Sequence, residues 1–78
     1  MAVLRLFGPA RQAAGVARAD ISGASVSEVL RTAEARYGAE FAAVVAVSRL
    51  WVNGASSTAG TPVADHDEVA VVPPVSGG

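Results

Sequence analysis

The chain has 78 residues and no cysteine, with six basic side chains, all arginine, against seven acidic ones, and 51% of it is hydrophobic. A net charge of -1 on one small domain gives no electrostatic footprint for a phosphate backbone or an anionic membrane, which excludes nucleic acid and a membrane surface as partners. Without cysteine there is no disulfide, thiolate metal site or Cys nucleophile, and His66 alone assembles no zinc site, so no metal is expected and a binding or carrier role leads over catalysis.

In chain order, Ala2 to Phe7 is a short run of alternating and apolar residues closed by Gly8 and Pro9, which predicts a first strand. Ala10 to Ala14 reads as a polar connector ended by Gly15. Val16 to Ile21 then alternates, with Ala17, Ala19 and Ile21 on one face, as the return strand of a hairpin. Ser22, Gly23 and Ala24 make a turn. Ser25 with Glu28 three residues on is a capping-box pattern ahead of Val26, Val29, Leu30, Ala33 and Tyr37, which predicts one amphipathic helix over Val26 to Tyr37. Gly38 is placed to stop it in the left-handed conformation.

Ala39 to Ser48 stays open between a buried turn of helix and an extended core segment, because periodicity does not separate the two over so short a run. Its Phe41 to Val47 stretch is the longest uninterrupted apolar run, far short of the roughly twenty residues of a membrane span, and the N-terminus lacks a cleavable apolar segment. A cytoplasmic protein is expected. Leu50 to Val52 leads as a strand into Asn53-Gly54, whose residues supply the positive φ values of a type I′ hairpin turn. Ala55 to Pro62 is small and polar, Asp65-His66-Asp67 is a second turn, and Glu68 to Val72 is apolar on both faces, as a central strand requires. The expected order is β-β-α-β-β-β with a core rich in small side chains, since 17 alanines and 13 valines dominate the apolar set.

The ending Pro73-Pro74-Val75-Ser76-Gly77-Gly78 is the unusual feature. Proline fixes φ and donates nothing to a sheet, so Pro73 ends pairing and directs the chain outward along an extended path. Residues 1–72 read as the domain and 73–78 as a tail of about 20 Å reach at roughly 3.3 Å per residue. Gly77 and Gly78 carry no side chain, so the tail fits a narrow channel, and its reactive group is the terminal carboxylate of Gly78.

The chain resembles the MoaD/ThiS family of ubiquitin-like sulfur carriers, and within it the MoaD type, the small subunit of molybdopterin synthase. The residues that carry the resemblance are the opening VLRLFGPARQAAG, the turn WVNG and the closing DEVAVVPPVSGG. The resemblance implies an α+β, ubiquitin-like β-grasp: a mixed sheet of four to five strands packed on one main helix, with a flexible Gly-Gly tail. It also implies a non-catalytic carrier subunit with no bound cofactor. A MoeB-type adenylating enzyme would use ATP to activate Gly78, a sulfur donor would convert it to a thiocarboxylate, and the loaded tail would enter a MoaE-type large subunit, forming a heterotetramer. There the sulfur would pass to cyclic pyranopterin monophosphate. Related carriers serve thiamine thiazole, cysteine or tRNA thiolation, or conjugate to proteins, and a plain interaction module is a further alternative.

Phe7 is expected on the strand face opposite Leu4 and Leu6, as an apolar anchor for the partner or as a second small core. Arg11 matches an arginine of the family's connector and is assigned with Phe7 to the partner interface, the alternative being a solvated surface arginine. Asp67 and Glu68 are read as turn and strand residues on opposite faces rather than as an acid/base pair. His66 lies in a polar loop without a nucleophile, and Trp51 is a packing residue.

Overall fold

The computed structural model describes residues 1–74 of the chain. Five strands form one mixed sheet: β1 (Ala2–Leu6), β2 (Arg18–Ile21), β3 (Arg49–Val52), β4 (Ala55–Ser56) and β5 (Glu68–Val72), in the order β2-β1-β5-β3-β4. β5 is central, paired parallel to β1 and antiparallel to β3. That is the position its two-sided apolar pattern predicts. Alternation sends Ala2, Leu4, Leu6, Ile21, Val69 and Val71 to one face, where all are buried against the helices.

The main helix, α2 (Val26–Tyr37), starts and stops where its residues direct. Ser25 Oγ accepts from the Glu28 N–H at 3.2 Å, half of the expected capping box, while Glu28 Oε1 accepts from the Ala24 N–H at 3.4 Å in place of the Ser25 one. The two remaining orphan donors of this turn, Val26 and Ser27 N–H, reach the carbonyls of Thr61 and Ala59 at 2.9 and 2.8 Å. The small polar segment after β4 thus packs as a cap on α2. Val26, Val29, Leu30 and Ala33 face the sheet.

Two helices are absent from the expected order. Gly8–Ala14, read as a connector, is α1: Pro9 lies in its first turn, where a missing N–H costs nothing, and Ala10 is buried. Ala39–Ala46 is α3, which settles the open segment as helix because Phe41 and Val45, four apart, are both buried. Phe41 is the largest fully buried side chain and meets Tyr37 edge-on at a centroid distance of 5.3 Å. Gly38 has positive φ (100°) as expected, but its ψ of -175° is extended rather than left-handed helical, since it ends α2 and opens α3 in a single residue. The return strand begins at Arg18, not Val16, because α1 and its Gly15 cap occupy the preceding chain. Among the described residues no helix is long and apolar enough to cross a membrane.

Candidate functional site

β1 and β5 run side by side toward the same end of the sheet, and β2 and β3, antiparallel to them, begin there. β5 ends at Val72. Pro73 is still buried, whereas Pro74 is exposed, so the chain leaves the body of the fold between the two prolines. Val75, Ser76, Gly77 and Gly78, the rest of the predicted tail, lie outside the described residues.

Among the described residues, all three helices cover one face of the sheet and nothing packs on the other. The registers place on it Val3, Arg5, Arg18, Asp20, Glu68, Ala70, Val72, Arg49 and Trp51, and none of these is buried. Phe7 follows in extended conformation (φ -131°, ψ 151°), so alternation turns it to this open face, and the β1–β5 register carried one step beyond Leu6–Val71 sets it beside Val72. It is 44% exposed, which leaves no place for it in a second small core. Trp51 is half-buried between Ala70 and Ser56 on the same face, so its packing is against the open side rather than the helix layer. Arg11 lies in the last turn of α1, exposed, beyond the same end of the sheet.

The structure therefore brings Phe7 and the end of β5 together on one side and adds Trp51, Ala70, Val72, Arg5, Arg18 and Arg49 to them. The alternation in each strand names these side chains, but only the strand order makes them neighbours. Arg5 pairs with Glu68 at 3.5 Å, and Arg18 stands directly opposite Arg5 without an ion pair among the described residues. Like charges facing each other across strands are unfavourable, and an acidic partner surface would relieve them.

The other end of the sheet carries the acids. The N-terminal ammonium donates to Asp65 Oδ1 at 2.6 Å, and this hydrogen bond with its positive charge holds the Asp65 carboxyl below its ordinary range. Asp67 is held low by the Ala64 N–H on one oxygen and the Asn53 amide on the other. His66 takes positive φ (71°) at the tip of this turn and its N–H donates to the Met1 carbonyl at 2.8 Å. Asp67 and Glu68 are thus turn and strand-start residues, and His66 has backbone work.

The ThiS family model matches residues 4–78. No curated protein matches the chain. Among solved structures it is similar to SAMP1 of Haloferax volcanii, 29% identical over 99% of this chain and 98% of that one, with a TM-score of 0.82. A putative molybdopterin converting factor subunit 1 of Pyrococcus furiosus is 28% identical over 95% and 97% of the two chains, with a TM-score of 0.82. A chain of the Helicobacter pylori complex of molybdopterin-converting factor subunits 1 and 2 is 26% identical over 99% and 97%, with a TM-score of 0.70.

Proposed function

The chain belongs to the ThiS family of ubiquitin-like sulfur carriers, and we propose that within it the protein is the small subunit of a molybdopterin synthase. The observation that carries this reading is the placement of β5, central in the sheet and leaving the fold through Pro73-Pro74 ahead of the Gly77-Gly78 ending, on a face where Phe7, Trp51 and Val72 lie among arginines. The likeness to molybdopterin converting factor chains of two organisms supports the branch.

The chemistry follows from what a carboxylate lacks. It is a poor electrophile, so a MoeB-type enzyme would join the Gly78 carboxylate to AMP at the expense of ATP. The terminal sulfur of a persulfide donor then attacks the acyl carbon and AMP leaves. A thiol reduces the resulting acyl disulfide and frees the thiocarboxylate. The protein itself contributes reach and recognition: Val75, Ser76 and the two glycines pass a narrow channel, while Phe7, Trp51 and Val72 dock on a MoaE-type large subunit and Arg11 and Arg49 meet acidic groups at its rim. The acceptor is cyclic pyranopterin monophosphate, and the cell compartment is the cytoplasm.

The test is intact mass after incubation with a MoeB-type enzyme, ATP and a sulfur donor, followed by addition of a MoaE-type subunit and the pterin. Exchange of one oxygen for sulfur, then its loss with formation of the dithiolene product, is expected. A chain that loads but gives no dithiolene belongs to another branch. The likeness to a small archaeal modifier protein favours one such branch, conjugation to other proteins. Amide-linked adducts in a lysate supplied with ATP would select it.

A further inference from the structure

The densest set of side-chain hydrogen bonds lies at the end of the sheet opposite the tail. Asn53 takes positive φ (50°) at the tip of the β3–β4 hairpin, directly before Gly54 (φ 83°). Its Nδ2 donates to Asp67 Oδ1 at 3.1 Å, and its Oδ1 accepts from the Glu68 N–H at 2.9 Å. These partners fix which way the amide points, because a carboxylate oxygen only accepts and a backbone N–H only donates. The Asn53 N–H itself donates to the Glu68 carbonyl at 2.9 Å, and the second Asp67 oxygen accepts from the Ala64 N–H at 2.8 Å. The turn alone needs positive φ, which glycine meets equally well. The clamp needs an amide.

Asn before Gly is also a chemically reactive pair, because Gly54 has no side chain to keep its nitrogen from the Asn53 carboxamide carbon. When the Gly54 nitrogen gives up its proton and attacks Cγ, the Cγ–Nδ2 bond breaks. Ammonia leaves, its third hydrogen replacing the proton lost, and a five-membered imide remains. Water opens the imide at either carbonyl, so that the net change is amide plus water to carboxylate plus ammonium, in an aspartate or isoaspartate residue.

We propose that Asn53-Gly54 is a deamidation site that the native fold holds shut, with Asp67 and the Glu68 N–H pinning the Asn53 amide away from the Gly54 nitrogen. The site opens when this clamp opens. The product sets a new carboxylate against that of Asp67, where Nδ2 donates in the native chain, and like charges at this spacing repel. The clamp therefore does not re-form, and the change is a one-way mark of a chain that has opened at the start of β5.

The test incubates the full chain in mildly alkaline buffer, with and without denaturing urea, and follows Asn53 by peptide mass and enzymatic isoaspartate labelling. The native chain is expected to convert more slowly than the unfolded one by on the order of tenfold, which corresponds to about 1.4 kcal/mol of opening free energy. Asp67→Ala, shown to be folded by circular dichroism, converts at an intermediate rate, and Asp65→Ala, whose side chain bonds the N-terminal ammonium and not Asn53, converts as the parent does. Equal rates in the native and unfolded chains overturn the proposal. So does a folded Asp67→Ala chain no faster than the parent. If Asp67→Ala does not fold, the native-to-unfolded ratio decides alone.

Discussion

The two ends of the sheet use their polar groups in opposite ways. Where β5 begins, Asn53, Asp65, Asp67 and the N-terminal ammonium spend their hydrogen-bonding capacity on one another and on the backbone. Where β5 ends, Arg11, Arg18 and Arg49 have no ion pair among the described residues, and Phe7 stays open to solvent. Asp20, Glu68, Asp65 and Asp67 belong to the first end and Arg11, Arg18 and Arg49 to the second, with Arg5 reaching from β1 to Glu68 between them. A domain this small gains stability by closing its polar groups internally. The end that leaves them without an ion pair is the one we assign to a partner, and it is the end from which Pro74 departs.

The largest expected effect breaks that comparison at the tail itself. Deleting Gly78, or replacing Gly77 with Phe, abolishes sulfur transfer, while the stability read from the melt changes by about 0.5 kcal/mol or less. Single-turnover dithiolene formation and a thermal melt of the same preparations check it. Full activity of the shortened chain sinks the carrier reading. Next in size is Phe7→Ala, which weakens binding to a MoaE-type subunit by roughly 1 to 3 kcal/mol and leaves stability nearly unchanged, as read by calorimetric titration beside a melt. A loss of several kcal/mol in folding with none in binding would move Phe7 from the interface to the core.

The turn end is expected to answer to acid instead. Asp65 and Asp67 both titrate below the ordinary aspartate value of 3.8 in the folded chain. A depressed folded value means that the unfolded chain binds the proton more readily, so the stability these groups contribute is present above 3.8 and lost as the pH falls through the lower folded values. Melting temperature followed between about pH 2 and 6 should fall off in that window, and Asp67→Asn should make the fall shallower. Because both carboxylates lie at the surface, Asp65 exposed and Asp67 half-buried, added salt should weaken the effect. An Asp67→Asn curve parallel to that of the parent would show that the carboxylate contributes nothing through its charge.

Much of this contrast is legible in the sequence, for physical reasons that differ by element. The alternation in β1 and β5, the Ser25 cap and the Asn53-Gly54 turn are short-range signals, each set by residues within four positions of one another, and the structure follows them. α1 is not legible in the same way, because Gly8-Pro9 is as apt to break a chain as to begin a helix; what decides is Ala10, buried by tertiary contact. α3 has the same character, since the pattern FAAVVAV satisfies both a helix and a buried strand until Phe41 finds the core. The exposed place of Phe7 and the end of pairing before Pro73 could be read from the chain alone. Trp51, Arg49 and Val72 could not be joined to them, because that grouping exists only once β5 is inserted between β1 and β3.

The smallest expected effect concerns Arg11, and it sharpens the contrast most. Arg11 is exposed on the last turn of α1, where a basic side chain also favours its own helix by opposing the macrodipole. Removing it thus carries two consequences of similar modest size, a slight loss of helix stability and a slower encounter with an acidic partner. They separate by salt. Helix–charge and surface interactions in the free chain both fade within a Debye length of about 8 Å at physiological ionic strength, so the stability loss of Arg11→Ala is confined to low salt and stays within about 0.5 kcal/mol. Association with a MoaE-type subunit should slow at low salt and show a flatter salt dependence than the parent, with little change in dissociation, because rim charges act on encounter more than on residence. Stopped-flow association across a salt series reads this directly. An unchanged salt slope would confine Arg11 to its helix and leave Arg5, Arg18 and Arg49 on the open face as the charges a partner meets.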